Sequence, residues 1–158
     1  MIEILDQGLN TPLHLAAENE KLNIIKFLVH KGAEVNVKNI YNMTPLHIAS
    51  SYNNLDVVKF LIDNNSELNS ENNWKTSPLH IAVTHNNLDT VKLLVNSGSL
   101  LNNKDHRNHT PLDIAINNRN TDIINYLINA KQHYDERKTV EYFWPIVYNW
   151  KKTRENEG

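Results

Sequence analysis

Histidine is the residue type in this sequence with the broadest chemical use, because it can transfer protons and bind metals near neutral pH. The chain has eight histidines and no cysteine. His106 and His109 are three residues apart and could share a metal ion, but no further ligand completes a recognisable metal-binding pattern around them. We therefore predict no metal site and no cofactor.

The sequence offers no other constellation suited to catalysis. No nucleophile is accompanied by a base and a third orienting group. Only four glycines occur, and they do not form a phosphate-binding loop. Because cysteine is absent, thiol catalysis and disulfides are excluded. We predict that the protein is not an enzyme.

Composition and charge narrow the remaining classes. The 158 residues include 16 basic and 18 acidic side chains, so the net charge is −2 and nothing favours nucleic acid or an anionic membrane. No apolar run is long enough to span a membrane, and the N-terminus lacks the features of a signal peptide. We therefore predict a cytoplasmic monomer. The 26 asparagines belong to a bias toward AT-rich codons, as in an intracellular bacterium, a virus or a protist.

A short motif recurs with a constant period of 33 residues. Thr11-Pro-Leu-His is followed by Thr44-Pro-Leu-His, Ser77-Pro-Leu-His and Thr110-Pro-Leu-Asp. An apolar helical stretch follows each copy in the same register, beginning at Leu22, Leu55, Leu88 and Thr121. Four copies in register indicate a repeat protein.

This motif and period resemble the ankyrin repeat. The resemblance covers residues 6–138 and implies four repeats, at about 6–38, 39–71, 72–104 and 105–138. It implies an all-α solenoid of stacked helix-turn-helix units with short β-hairpin fingers. It also implies that the motif histidines His14, His47 and His80 form hydrogen bonds within and between the loops.

The residues themselves support these elements. Thr11 can cap a helix through its hydroxyl, and Pro12 suits the first helical position. Ile24, Ile25, Leu28 and Val29 have the spacing of one face of a second helix. One such unit cannot bury its apolar faces alone, so stacking of neighbours must supply most of the stability.

Departures from the family pattern predict where the array is irregular. The turn between the two helices usually has glycine, but here it has Glu20, Asn53, Asn86 and Arg119, of which asparagine best tolerates a left-handed conformation. Lys131 replaces the glycine that ends the second helix, so we expect the last helix to run on through Arg137. We expect the fourth repeat to be the least regular.

Residues 139–158 lie outside the repeat and are rich in aromatic residues. Val140, Phe143, Val147 and Trp150 form a helical stripe, and Pro145 would start a new helix or kink this one. The segment is interpreted either as a helical cap over the fourth repeat or as a docking motif for a partner.

The resemblance also implies where a partner binds, on a concave surface made of finger tips and the ends of the first helices. Large apolar and aromatic groups concentrate in the middle two repeats, as expected at the centre of an interface. Tyr41 and Trp74 occupy equivalent finger positions, so stacking should bring them close together. The predicted protein-binding residues are Ile40, Tyr41, Met43, Tyr52, Asn73, Trp74, Thr76, His85, His106, Arg107 and His109.

We predict a non-catalytic protein-interaction module with an unidentified protein partner. One version is an effector directed at a host cell, which is suggested by the codon bias alone. The alternatives are an intracellular regulator or inhibitor of an enzyme of its own cell, and a recognition fragment of a larger multidomain protein.

Overall fold

A computed structural model of the chain describes residues 8–155, with side chains described for residues 8–141 and for Pro145. Eight helices occur in this range, arranged as four consecutive pairs that stack on one another. The first helices of the pairs are α1 Pro12–Glu18, α3 Pro45–Ser51, α5 Pro78–Thr84 and α7 Pro111–Asn117. The second helices are α2 Leu22–His30, α4 Leu55–Asp63, α6 Leu88–Asn96 and α8 Thr121–Glu155. The predicted all-α solenoid is confirmed.

The repeated motif fixes the start of every first helix. The hydroxyls of Thr44, Ser77 and Thr110 each accept a hydrogen bond from the backbone N–H three residues later. The proline that follows occupies the first helical turn. An N–H group there would have no acceptor within the helix, so the missing N–H of proline costs no hydrogen bond. Local capping chemistry therefore starts these helices at the same register in each repeat.

The core consists of the same positions taken from successive repeats. Leu13, Leu46 and Leu79, one from each motif, are all essentially inaccessible. Full burial of one such side chain contributes about 1.5–3 kcal/mol, so repetition along the array supplies the stability that a single helix pair lacks.

The outer face of the first repeat is open among the described residues. Ile24 on α2 is 50% exposed, whereas Val57 and Ile123 at the equivalent positions are 1% and 0% exposed. The difference arises because each later repeat is covered by the one before it.

The turns within the helix pairs differ from the sequence prediction. Glu20 and Arg119 adopt left-handed φ angles of 55° and 58° despite their long side chains, whereas Asn53, the more tolerant residue, does not. In the second repeat, the Ala49 carbonyl accepts instead from the N–H of Tyr52, whose backbone is extended. The irregular turn is therefore in the second repeat, whereas the fourth repeat departs from the others at its second helix, α8, as the residue at Lys131 led us to expect.

The fingers are tight turns rather than β-hairpins, since no β-strand forms between residues 8 and 155. The Asn39 N–H donates to the Met43 carbonyl at 3.1 Å, and this bond closes the second finger. The Asn39 side-chain oxygen accepts from the N–H groups of both Tyr41 and Met43, each at 3.0 Å. A side chain thus takes the place of the backbone ladder that a hairpin would require.

Helix α8 continues well beyond the predicted Arg137, to Glu155, and includes Pro145. Lys131 lies inside it, where Gly32, Asn65 and Gly98 end the earlier second helices with positive φ angles. The side chains of residues 131–141 are exposed, and Val140 is 60% exposed, so residues 139–141 do not cover the fourth repeat. Of the predicted stripe, Phe143, Val147 and Trp150 lie outside the described side chains, and the role of 139–158 stays a prediction.

Candidate functional site

The motif histidines connect each first helix to the finger of the next repeat. Nε2 of His14, His47 and His80 lies 2.9, 3.0 and 3.3 Å from the carbonyl oxygens of Met43, Thr76 and His109. Because a carbonyl only accepts, each Nε2 must carry the proton. Nδ1 then accepts from the N–H of the capping residue, at 3.1 Å in every case. Three buried neutral histidines therefore hold the finger bases in register, as predicted.

This environment opposes protonation of the imidazoles. Burial lowers the pKa of His47 from 6.5 to about 4, although the hydrogen bond to the Thr76 carbonyl opposes the shift. Burial also lowers the pKa of His80, against the opposing effect of the His109 carbonyl. Protonation would remove the Nδ1 acceptor from the capping N–H, whereas the Nε2 donor to the next finger would remain.

Asp113 takes the place of histidine in the fourth repeat and keeps only part of its role. Its Oδ2 accepts from the Thr110 N–H and hydroxyl at 2.8 and 2.7 Å, and the hydroxyl bond lowers its pKa. A carboxylate has no N–H with which to reach a following finger. Between residues 121 and 155 no such finger forms, because α8 continues where the fifth finger would begin.

The finger tips are connected directly by backbone hydrogen bonds. The N–H of Ile40 donates to the Gly8 carbonyl, that of Asn73 to Tyr41, and that of His106 to Trp74, at 3.0–3.1 Å. Each bond joins one finger to the preceding finger at the same register. The tips therefore form a continuous row with a fixed spacing.

Two aromatic rings stack on this row. The ring centroids of Tyr41 and Trp74 are 5.8 Å apart with an interplanar angle of 25°. The two residues are 46% and 44% exposed, and neighbouring Ile40 is 43% exposed. The predicted proximity of the two aromatic residues is confirmed. We call Ile40, Tyr41 and Trp74 the finger-tip patch.

The polar residues predicted for the site are arranged around this patch. Asn73 donates to the Ile40 carbonyl at 3.2 Å and accepts from the Asn42 side chain at 2.7 Å, so it joins the second and third tips. His106 lies exposed with Nδ1 3.2 Å from the Trp74 carbonyl. Arg107 and Lys75 are also exposed, Lys75 next to Trp74 in the chain and Arg107 next to His106, and each adds a positive charge to a finger tip.

Other predicted residues lie elsewhere or serve the framework. Met43, Thr76 and His109 are half-buried, and their carbonyls accept the histidine bonds described above. Tyr52 is half-buried at the end of α3, whereas His85 is exposed at the end of α5 with Nδ1 2.9 Å from the Ile81 carbonyl. The structure brings neither Tyr52 nor His85 into the finger-tip patch as defined.

The sequence prediction missed the residues that shape the tips. Asn72 and Asp105 repeat the role of Asn39, and each side chain accepts from two backbone N–H groups of its finger at 2.8–3.1 Å. Their constant spacing of 33 residues was the signal that could have identified them.

The described residues contain no cluster of three or more histidine and carboxylate side chains that could hold a metal. His109 and Asp105 approach within 3.9 Å as a pair. No helix in the described part of the chain has the length and apolarity needed to cross a membrane.

Comparison with known proteins identifies ankyrin repeats in three copies, matching residues 2–72 and 46–138. Alpha-latrotoxin-Lt1a from Latrodectus tredecimguttatus is 38% identical over 39 residues, which is 25% of this chain and 3% of the toxin. The probable E3 ubiquitin-protein ligase XBOS33 from Oryza sativa subsp. japonica is 51% identical over 37 residues, covering 23% of this chain and 7% of the ligase. The chain thus spans only a small part of these relatives' length.

Proposed function

Because the chain belongs to the ankyrin-repeat family, we propose that it is a non-catalytic module that binds a protein partner through its finger tips. Ankyrin repeats indicate protein–protein interaction in general. The exposed Tyr41–Trp74 stack on the row of tips is the observation that supports this particular surface.

The energetics favour an interface at this position. An aromatic side chain buries about 150–250 Å² when fully covered, so the two half-exposed rings still present roughly 200 Å². Covering that area contributes up to about 5 kcal/mol by apolar-area bookkeeping. The amount exceeds the roughly 2 kcal/mol that defines an interface hot spot.

The surroundings of the patch fit a polar rim. Asn73 and Lys75 flank Trp74 on the third finger tip, and His106 and Arg107 are on the fourth. Such polar side chains can form hydrogen bonds with a partner at the edge of an interface. Because the tips are joined by backbone bonds, little conformational freedom is lost when they bind. The partner should therefore offer an apolar group to the rings and acceptors to the basic rim.

We propose that the protein acts in a cytosol, either that of its own cell or that of a host cell that receives it. The chain contains no cysteine, so its folding requires no disulfide that a reducing cytosol would fail to maintain. Delivery into a host has only the codon bias in its support. Fractionation of infected cells with an antibody to the chain would test it, and signal confined to the producing cell would exclude delivery.

Affinity capture tests the proposed surface. The wild-type protein and the Trp74→Ala variant would be immobilised in parallel and exposed to lysates of the native cell and of candidate hosts. We expect a partner that the wild type retains and the variant loses, while both proteins melt at similar temperatures. Equal retention by both would exclude Trp74 from the interface.

A further inference from the structure

A second concave surface lies away from the finger tips, where α8 passes the loop that follows α6. The depression has a volume of about 970 Å³ and lies between residues 98–103 of that loop and residues 126–141 of α8. We call it the α8 groove. Its size is at the upper end of the roughly 300–1,000 Å³ typical of ligand sites.

The groove exists because of a departure from the repeat pattern. The earlier second helices end at a residue with positive φ, and the chain then turns toward the next finger. Lys131 provides no such end, so α8 extends past the loop and forms a second wall. The groove therefore belongs to this chain's fourth repeat and not to the repeated unit.

Apolar and aromatic groups lie at both sides of the groove. Leu100 on the loop is 46% exposed, and Tyr134 on α8 is 38% exposed. Tyr126 is partly buried at the inner end, with its hydroxyl 3.1 Å from the Asn96 side-chain oxygen. These side chains offer contact area to an apolar group, as the lining of a binding site does.

The charged side chains of the lining are mainly positive. Lys131, Arg137 and Lys138 line it together with one acidic residue, Glu141. The Lys138 ammonium lies 4.9 Å from the centroid of the Tyr134 ring, which places a cation beside the aromatic surface. The chain as a whole carries a net charge of −2, so this local excess of positive charge is a property of the groove.

We propose that the α8 groove binds an acidic peptide segment of a partner protein, with an apolar side chain of the segment between Leu100 and Tyr134. Carboxylates of the segment pair with Arg137 and Lys138, because opposite charges attract across an interface. A basic segment would be repelled by the same two side chains. The site is separate from the finger-tip patch and does not depend on the function proposed for that patch.

Peptide selection on the intact chain tests the proposal. Random dodecapeptides displayed on phage would be selected for binding to the wild type. Peptides that also bind the double variant Arg137→Glu/Lys138→Glu would be removed by a counter-selection step. Both side chains are exposed, so the variant is expected to fold. Enriched peptides would then be synthesised with a fluorescent label and titrated by anisotropy.

The matched control reverses two exposed charges at the other end of the array, as Lys21→Glu/Lys26→Glu. We expect enriched peptides to contain Asp or Glu together with a large apolar residue. Their affinity should fall about tenfold or more in the Arg137→Glu/Lys138→Glu variant and with rising salt. Leu100→Ser should weaken the same peptides, and the control and Trp74→Ala should not.

The proposal is overturned if selection yields no peptides, or yields peptides without acidic residues. It is also overturned if the affinity is unchanged by the groove charge reversal, or if it is lost in Trp74→Ala, which would assign the peptides to the finger-tip patch.

Discussion

Acid should weaken the array through its buried histidines, and His47 gives the clearest case. Its folded-state pKa is about 4, against 6.5 for an unperturbed histidine. Because the folded pKa is the lower one, the unfolded chain binds more protons, and stability falls as the pH drops from 6.5 toward 4. A difference of about 2.5 pKa units corresponds to roughly 3 kcal/mol, of which about 2 kcal/mol is lost between pH 7 and pH 5.

Urea unfolding, followed by far-ultraviolet circular dichroism at several pH values in that window, measures this loss. His47→Gln removes the titrating group while an amide can still donate to the Thr76 carbonyl. We expect the variant to be less stable than the wild type near neutral pH, and the difference to shrink by about 2 kcal/mol toward pH 5. His85→Gln, at an exposed position, controls for the loss of a histidine as such.

The reasoning is refuted if the difference in unfolding free energy between wild type and His47→Gln stays constant from pH 7 to pH 5. It is also refuted if His85→Gln changes the profile as much as His47→Gln does. Either result would mean that the folded structure does not disfavour the protonated form of His47.

Two further substitutions test the local geometry by urea unfolding. Glu20→Gly should stabilise the protein by about 0.5–1 kcal/mol, because Glu20 has a positive φ of 55° that glycine adopts more easily. Asn53→Gly should give no such gain, because Asn53 does not have a positive φ. Equal gains at both positions would contradict the turn assignment. Asn72→Ala should lower the free energy of unfolding by about 1–3 kcal/mol, because the N–H groups of Trp74 and Thr76 lose their acceptor. A loss no greater than that of Asn23→Ala, at an exposed position, would show that water replaces the Asn72 oxygen as acceptor.

Capping chemistry explains why the helix starts could be predicted from the sequence. Thr44, Pro45 and His47 act on the backbone within three residues, so the motif alone determines where α3 begins. The connection from His47 to the next finger was expected only from the resemblance to ankyrin repeats, and the structure identifies its acceptor as the Thr76 carbonyl.

The turn at Asn53 could not be predicted in this way. Asparagine favours a left-handed conformation, yet the hydroxyls of Ser50 and Ser51 bond to the carbonyls of Leu46 and Ile48, and the turn takes another form. The Asn87 side chain of the next repeat then donates to the Ser50 carbonyl. Asn86, at the equivalent position of the third repeat, does have a positive φ of 59°, so single-residue preference does not decide the turn at Asn53.

The α8 groove also depends on tertiary placement. The sequence predicted that the last helix would continue past Lys131, but not that its extension would face residues 98–103. Likewise, Tyr41 and Trp74 were expected to be neighbours from the period, whereas the extended backbone and half-buried position of Tyr52 were not predicted.

Calorimetric titration of a recovered partner is the most direct test of binding through the finger tips. The titration compares the wild type with Tyr41→Ala/Trp74→Ala and with Phe27→Ala, which removes a 59% exposed aromatic ring from α2. We predict that the double variant binds at least about 30-fold more weakly, while Phe27→Ala binds like the wild type and all three melt at similar temperatures. Unchanged affinity of the double variant, or an equal loss with Phe27→Ala, would contradict the proposed surface.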